Sequence, residues 1–192
     1  MITCKKVDRA ALPAYDAIPM LVHIASYYRI DKIDRGLGGF RFTEVPLEAS
    51  VKDFDEGVRD FASRQARRFD IANWGFFMAF DGEKAIGGAT VAARTEGVHM
   101  LAGRDDLAVL WDICVDDACK RQGVGQALFD LAVQWARDEG LTQMKIECQN
   151  NNIPACRFYH KQGAVLSAID EYAYHSEPQY RHEAQLIWML DL

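Results

Sequence analysis

The sequence predicts an α/β or α+β fold built on a mixed sheet, and three observations carry that reading. Strand-like and helix-like segments alternate through the middle of the chain, while strands dominate both ends. A strand-like run, "LAVLWDICV", leads through Lys120 and Arg121 into Gly123-Val124-Gly125 and then at once into an amphipathic helix. At 192 residues, 49% hydrophobic and 26% charged, the chain is long enough to bury a core as one domain over 1–192.

The elements follow in order. "ITCKKV" reads as a first strand, and residues 9–28, apolar and mixed, read as helix. In "RGLGGFRFTEVPLEAS" the glycines give way to alternation through Phe40, Phe42 and Val45, a short strand that Pro46 would end. Phe54, Val58, Phe61 and Phe69 stand at helical spacings within a run of helix formers, which predicts a helix in 54–69. "WGFFMAFDGEKAIGGATVAAR" is a hairpin, two apolar runs about the turn signal Asp81-Gly82. "LAVLWDICV" is the next strand. The helix over 123–139 carries one apolar stripe of Val124, Leu128, Leu131 and Trp135, and Gly140 stops it. "TQMKIEC" is a strand, "NIPACRFYHKQG" a short helix, and "AVLSAIDEYAY" and "EAQLIWML" a closing strand pair.

Composition excludes some functions. A net charge of -6 argues against a general nucleic-acid binder, which needs a basic surface to displace counterions, and it suits a cationic substrate. No apolar run approaches membrane-spanning length, and "MITCKKVDRAALPAY" lacks the apolar core of a signal peptide, so no membrane partner is expected. Cys4, Cys114, Cys119, Cys148 and Cys156 form no CxxC pair, and an odd count fits reduced thiols in a cytoplasm. His23, His99, His160, His175 and His182 show no metal-ligand spacing, so no metal is expected.

The glycine loop is the most informative stretch. A helix N-terminus leaves about four backbone N–H groups without intrahelical partners and carries partial positive charge, so it attracts phosphate. Glycine lets the backbone approach the anion, and Lys120 and Arg121 add full charges. The Walker pattern GxxxxGK[ST] is absent, and a dinucleotide fingerprint would need a small residue where Leu128 stands. Taken alone, the loop reads equally well as a tight strand-to-helix turn with solvated basic residues.

Its context decides. "ICVDDACKRQGVGQAL" followed by "IECQNNNIPACRFYHKQGA" resembles the two core motifs of the GNAT superfamily of acetyl-CoA-dependent N-acetyltransferases. The first is similar to the family's [Q/R]-x-x-G-x-[G/A] pyrophosphate loop, with Lys120 in place of the usual Arg or Gln; lysine binds phosphate as a point charge without a bidentate grip. The second is similar to its N-x-x-A-x-x-x-Y-x-x-x-G segment through Asn152, Ala155, Tyr159 and Gly163. The resemblance covers roughly residues 75–190. It implies a mixed, largely antiparallel central sheet, flanked by helices, in which the family's fourth and fifth strands splay apart. Acetyl-CoA would then be the co-substrate: backbone groups of Ile113, Cys114 and Val115 would pair with the pantetheine amides, and the amides from Arg121 through Gln122, Gly123, Val124, Gly125 and Gln126 would cup the pyrophosphate. "GGFRFTEVPLEAS", "LWDICV" and "DEYAYHSE…EAQLIWML" look further like the streptothricin acetyltransferases, antibiotic-resistance enzymes of that superfamily.

Acetyl transfer to an amine needs a held thioester, a neutral amine, oxyanion stabilisation and a proton for the leaving thiolate; losing one oxyanion donor typically costs about 3 kcal/mol. In "MKIEC", Lys145, Glu147 and Gln149 share the strand face opposite Met144, Ile146 and Cys148. The resemblance makes Glu147 the leading general base; a carboxylate of ordinary pKa, about 4.3, would act through water or with a raised pKa. A solvated strand carboxylate is the competing reading. Asp112 stands on a strand otherwise apolar on both faces, where a lone carboxylate is costly unless paired or wet, so it is a second base, a cation-binding group or a structural partner. Tyr159 resembles the family's proton donor to the thiolate. Asn152 would hydrogen-bond the pantetheine arm, and it also reads as an N-cap with Pro154 in the first turn. Tyr27, Tyr28 and Glu44 fall in the half that shapes the acceptor site in this superfamily.

The leading expectation is therefore an N-acetyltransferase acting on a primary amine of a small cationic molecule, streptothricin among them. A peptide or protein N-terminal acetyltransferase and a non-catalytic acyl-CoA-sensing module are the alternatives; a sensor would need neither Glu147 nor Tyr159. The oligomeric state stays open, a homodimer included.

Overall fold

The computed structural model describes residues 1–56 and 61–192. Among them the chain forms strands β1 (Ile2–Val7), β2 (Leu21–Lys32), β3 (Phe40–Asp53), β4 (Gly75–Asp81), β5 (Lys84–Ala93), β6 (Leu107–Val115), β7 (Gln143–Gln149), β8 (Val165–Asp170) and β9 (Gln185–Asp191). The helices are α1 (Leu12–Asp16), α2 (Ala62–Arg68), α3 (Val124–Asp138) and α4 (Ile153–Lys161). β2 and β3 make a two-stranded ribbon, and the remaining strands run in the order β1-β4-β5-β6-β7-β9-β8. β1–β4, β4–β5 and β5–β6 pair antiparallel and β6–β7 parallel, so the sheet is mixed. By the resemblance, the family's fourth and fifth strands would correspond to β6 and β7.

The chain divides into two units, each assembled from separate segments. The first comprises Met1–Leu21, Asp53–Ile146 and Met189–Leu192. β4 and β5 are buried along most of their length, and their apolar runs are nearly continuous because both faces are covered. On one face Phe76 and Met78 join Leu12, Tyr15, Ile18 and Trp74 in the core. On the other, Phe77 meets Trp135 of α3 edge-on at 6.1 Å, and Val124, Leu128 and Trp135 are buried as the helical stripe predicts. An aromatic cluster of Phe69, Trp74, Phe76 and Trp111 lies within the same unit.

β6 contains the local irregularity that matters most. Thr90 opposes Asp112, but the next residue, Val91, opposes Leu110, so Trp111 is an extra residue in the strand, a β-bulge. Within the first unit, the parallel ladder between β6 and β7 pairs Leu107–Leu110 with Gln143–Ile146. Ile113, Cys114 and Val115, further along β6, pair with Ala89, Gly88 and Gly87 of β5. A bulge bends its strand and increases its twist, so Trp111 turns β6 between these two stretches.

The second unit comprises Val22–Lys52 and Glu147–Trp188. Three consecutive asparagines do separate work in it. Asn150 exchanges backbone and side-chain bonds with Tyr28 and Ala184 at 2.8–3.0 Å. Asn151 donates to Glu183 at 3.1 Å, and Asn152 accepts the Ala155 N–H at 3.2 Å as the N-cap of α4. Glu183 is buried and pairs with Lys52 at 2.7 Å, whose ammonium sits 3.9 Å from the Tyr180 ring centroid.

Three expectations need correction. Residues 9–28 are not one helix: a single 3-10 turn over Arg9–Ala11 leads into α1, Pro19 follows soon after its end, and β2 begins at Leu21. The aromatic and β-branched residues of "LVHIASYYRI" suit a strand, and the break before it is a proline effect. The β3 strand does not end at Pro46 but runs on to Asp53; each strand of a two-stranded ribbon has an open edge, where a missing N–H breaks no ladder bond. The helix expected in 54–69 is α2, which starts only at Ala62, with Phe61 as its extended N-cap; Val58 lies outside the described residues.

Candidate active site

In the first unit the sequence places one group of candidates on β6 and on the turn into α3. Asp112 is half-buried and accepts a hydrogen bond from the Tyr15 hydroxyl. Tyr15 comes from α1 and is fully buried. Burial and the Asp112 charge push its phenol well above the ordinary tyrosine range, so it remains a proton donor. The lone carboxylate of an apolar strand is thus paired, by a residue that no spacing pointed to. Gly88 makes the pairing sterically workable: a Cβ there would lie 2.8 Å from Tyr15 Cζ and 2.9 Å from Cδ2. The bare backbone of β5 is the seat on which the ring lies.

From Val115 the chain enters a 3-10 turn over Asp117–Cys119, capped by Asp116, which accepts the Ala118 N–H at 3.0 Å and the Lys84 ammonium at 2.9 Å. Lys120 donates to the Leu21 carbonyl at 2.7 Å and pairs with Asp117, so its charge is already partly neutralised. Arg121 is exposed and adopts φ 62, a left-handed backbone uncommon outside glycine. Gln122 bonds back to the Ala118 carbonyl at 2.9 Å. Gly123 follows at φ 85 as the N-cap of α3, where no side chain could cap without strain. The helical ladder opens with Ala127 N–H to Gly123 carbonyl at 3.0 Å, which sets the N–H groups of Val124, Gly125 and Gln126 ahead of it. A Cβ at Gly125 would find Val115 Cγ2 at 3.8 Å, ordinary contact. A non-glycine residue at positive φ within a basic loop, followed by a glycine-led helix start, fits an anion-binding turn.

In the second unit the structure brings together Glu147, Gln149 and Tyr174. β7 alternates as the sequence predicts, with Met144, Ile146 and Cys148 buried and Lys145, Glu147 and Gln149 on the more open face. Tyr174 donates to Glu147 Oε1 at 2.6 Å and accepts from Gln149 Nε2 at 3.1 Å. Asn152 and Tyr159 stand at the cap and on the body of α4, Tyr159 buried and edge-on to Phe158 at 5.6 Å. Cys148 and Cys156 are buried thiols with sulfurs 3.5 Å apart, and Trp188 Nε1 donates to Cys148 at 3.3 Å. Tyr28 packs edge-on to Phe42 at 5.7 Å, and Glu44 is held by Ser26 at 2.7 Å and Arg157 at 2.5 Å. Tyr15 and Tyr174 escaped the sequence reading because each acts through a partner far away in the chain.

Residues 45–164 match the family model described as "Acetyltransferase (GNAT) family". A streptothricin acetyltransferase from Escherichia coli is 32% identical over 109 residues, covering 56% of this chain and 63% of its own length. The chain thus spans less than two thirds of that relative. Among solved structures, a nourseothricin acetyltransferase superposes with a TM-score of 0.76 at 21% identity, covering 99% of this chain and 98% of its own. A protein from Bacillus anthracis str. Ames described as a streptothricin acetyltransferase, in complex with acetyl coenzyme A, gives 0.77 at 22% identity with full coverage of both chains. At these identities the two structures show the shared fold.

Proposed function

Because the chain belongs to the acetyltransferase (GNAT) family, we propose that it transfers the acetyl group of acetyl-CoA to a primary amine of a small cationic molecule, of which streptothricin is the leading candidate. The observation that carries the acceptor class is that Asp112 and Glu147 are each held by a tyrosine hydroxyl, Tyr15 and Tyr174. A carboxylate oriented by a hydrogen-bond donor is what an ammonium binds. The streptothricin acetyltransferase of Escherichia coli supports the same class. Each pair places a donor on a carboxylate, which an acyl-CoA sensor would have no use for.

The loop fits the diphosphate of the co-substrate by its two positive-φ residues and the glycine-led start of α3. The backbone N–H groups of Arg121–Gln126 would hold it, with Arg121 as the exposed cation and Ile113–Val115 as the strand for the pantetheine amides. In the reaction the amine loses a proton to Glu147, directly or through water, and its nitrogen attacks the thioester carbonyl. The C–S bond then breaks, and the departing thiolate takes a proton from Tyr159. Asn152 serves α4 as its cap and is the proposed contact to the pantetheine arm. Residues 1–192 are proposed to act as one acetyltransferase domain in a cytoplasm, with no metal; among the described residues no helix is long and apolar enough to cross a membrane.

Steady-state kinetics with acetyl-CoA and streptothricin separate the roles. Asp112→Asn should raise KM with kcat less affected; Glu147→Gln should lower kcat and change the alkaline rise of its pH profile. Tyr159→Phe should lower kcat about 10²–10⁴-fold with acetyl-CoA affinity retained, because negative charge reaches the sulfur only as the bond breaks. Three variants with unchanged kinetics would remove all three residues from the mechanism.

A further inference from the structure

Tyr174 lies on the segment between β8 and β9, inside the stretch "DEYAYHSE" but marked by no spacing of its own, and it makes a directed contact to the proposed base. Its oxygen accepts the Gln149 amide at 3.1 Å, so its own proton is left for Glu147 Oε1 at 2.6 Å. We propose that Tyr174 is the positioning residue of this enzyme: its hydroxyl pins one oxygen of Glu147 and fixes the carboxylate's orientation, so that the other oxygen meets the ammonium of the acceptor. This rests on the acetyl-transfer reading above and adds to it the residue that sets the base.

The physical reason lies in the geometry of the carboxylate. The Tyr174 hydroxyl fixes Glu147 Oε1 at 2.6 Å, so removing the phenol takes away that hydrogen bond and frees the Glu147 rotamer. Tyr174 keeps its proton, because burial and the adjacent Glu147 charge push its phenol well above the ordinary range. Among the described residues, Cys148 and Glu183 also act on the pair. The Cys148 thiol neighbours Glu147 on β7 and is pushed up chiefly by its bond to Cys156 and by burial. Glu183 adds negative charge near Tyr174 and is itself paired with Lys52. Gln149 orients Tyr174, so the arrangement is a relay of amide, phenol and carboxylate rather than a chance contact.

The test is a double-mutant cycle with streptothricin and acetyl-CoA. Tyr174→Phe should lower kcat/KM about tenfold, the size expected for one hydrogen bond to a charged group, with acetyl-CoA affinity unchanged. In a Glu147→Gln background the same change should have less than about a twofold effect. Should Glu147→Gln prove too slow to assay, calorimetric binding of streptothricin to the CoA-saturated protein reads the same cycle, with affinity lost in the wild-type background only. An equal loss in both backgrounds would make Tyr174 merely structural and overturn the proposal, as would wild-type kinetics in Tyr174→Phe. A wild type that releases no thiol overturns the parent reading and this inference with it; an active wild type with an unaffected Tyr174→Phe overturns this inference alone.

Discussion

Gly88 shows how one residue without a side chain sets the state of another 24 positions on. Because its Cβ would press into the ring at 2.8–2.9 Å, Tyr15 lies flat on β5 and reaches Asp112. Gly88→Ala should therefore destabilise the protein by about 1–3 kcal/mol as the overpacked ring shifts, and urea denaturation measures it. It should also raise KM for the amine, since Asp112 loses the Tyr15 donor that orients it; an alanine variant of full stability with unchanged KM would show that the ring has room to move. At this scale the sequence was partly legible. The alternation of β7 exposed Glu147, and the apolar surroundings of Asp112 marked it as a group needing a partner. The partners themselves were hidden, because Tyr15 reaches Asp112 across 97 positions and Tyr174 reaches Glu147 across 27, and no local pattern encodes a contact of that separation. In "QNNN" the motif singled out Asn152 alone, while Asn150 and Asn151 earn their places through Tyr28, Ala184 and Glu183.

Among the elements, β6 and the start of α3 carry the proposed co-substrate site of the first unit. Glycine spacing and the abrupt onset of an apolar stripe announced the turn, and α3 occupies Val124–Asp138 within the expected 123–139. The bulge at Trp111 was not legible, because bulges arise from how two strands mesh and not from the residues of one. β2 was missed for a related reason: its apolar positions satisfied a helical reading until Pro19 and the ribbon partner β3 decided otherwise. The loop yields a direct prediction. A side chain is accommodated at Gly125, with Val115 at 3.8 Å, so Gly125→Asp should fold normally. Its carboxylate would then repel the pyrophosphate at the helix start, and acetyl-CoA affinity should fall by tenfold or more. Calorimetry on the folded variant checks it, and unchanged affinity would move the anion site away from α3.

At the scale of the whole molecule, the net charge of -6 and the two tyrosine-held carboxylates point the same way, toward a cationic acceptor. A peptide N-terminal acetyltransferase would share the acetyl-CoA machinery and differ in what the carboxylates receive, so the identity of the amine is the decisive quantity. The measurement that tests the account most directly is thiol release from acetyl-CoA over a panel of amines containing streptothricin, free lysine and N-terminal peptides. The account predicts rapid release with streptothricin, with kcat/KM falling as salt rises and the ammonium is screened from the carboxylate that holds it. Preferential turnover of N-terminal peptides, indifferent to salt and with streptothricin inert, would contradict it.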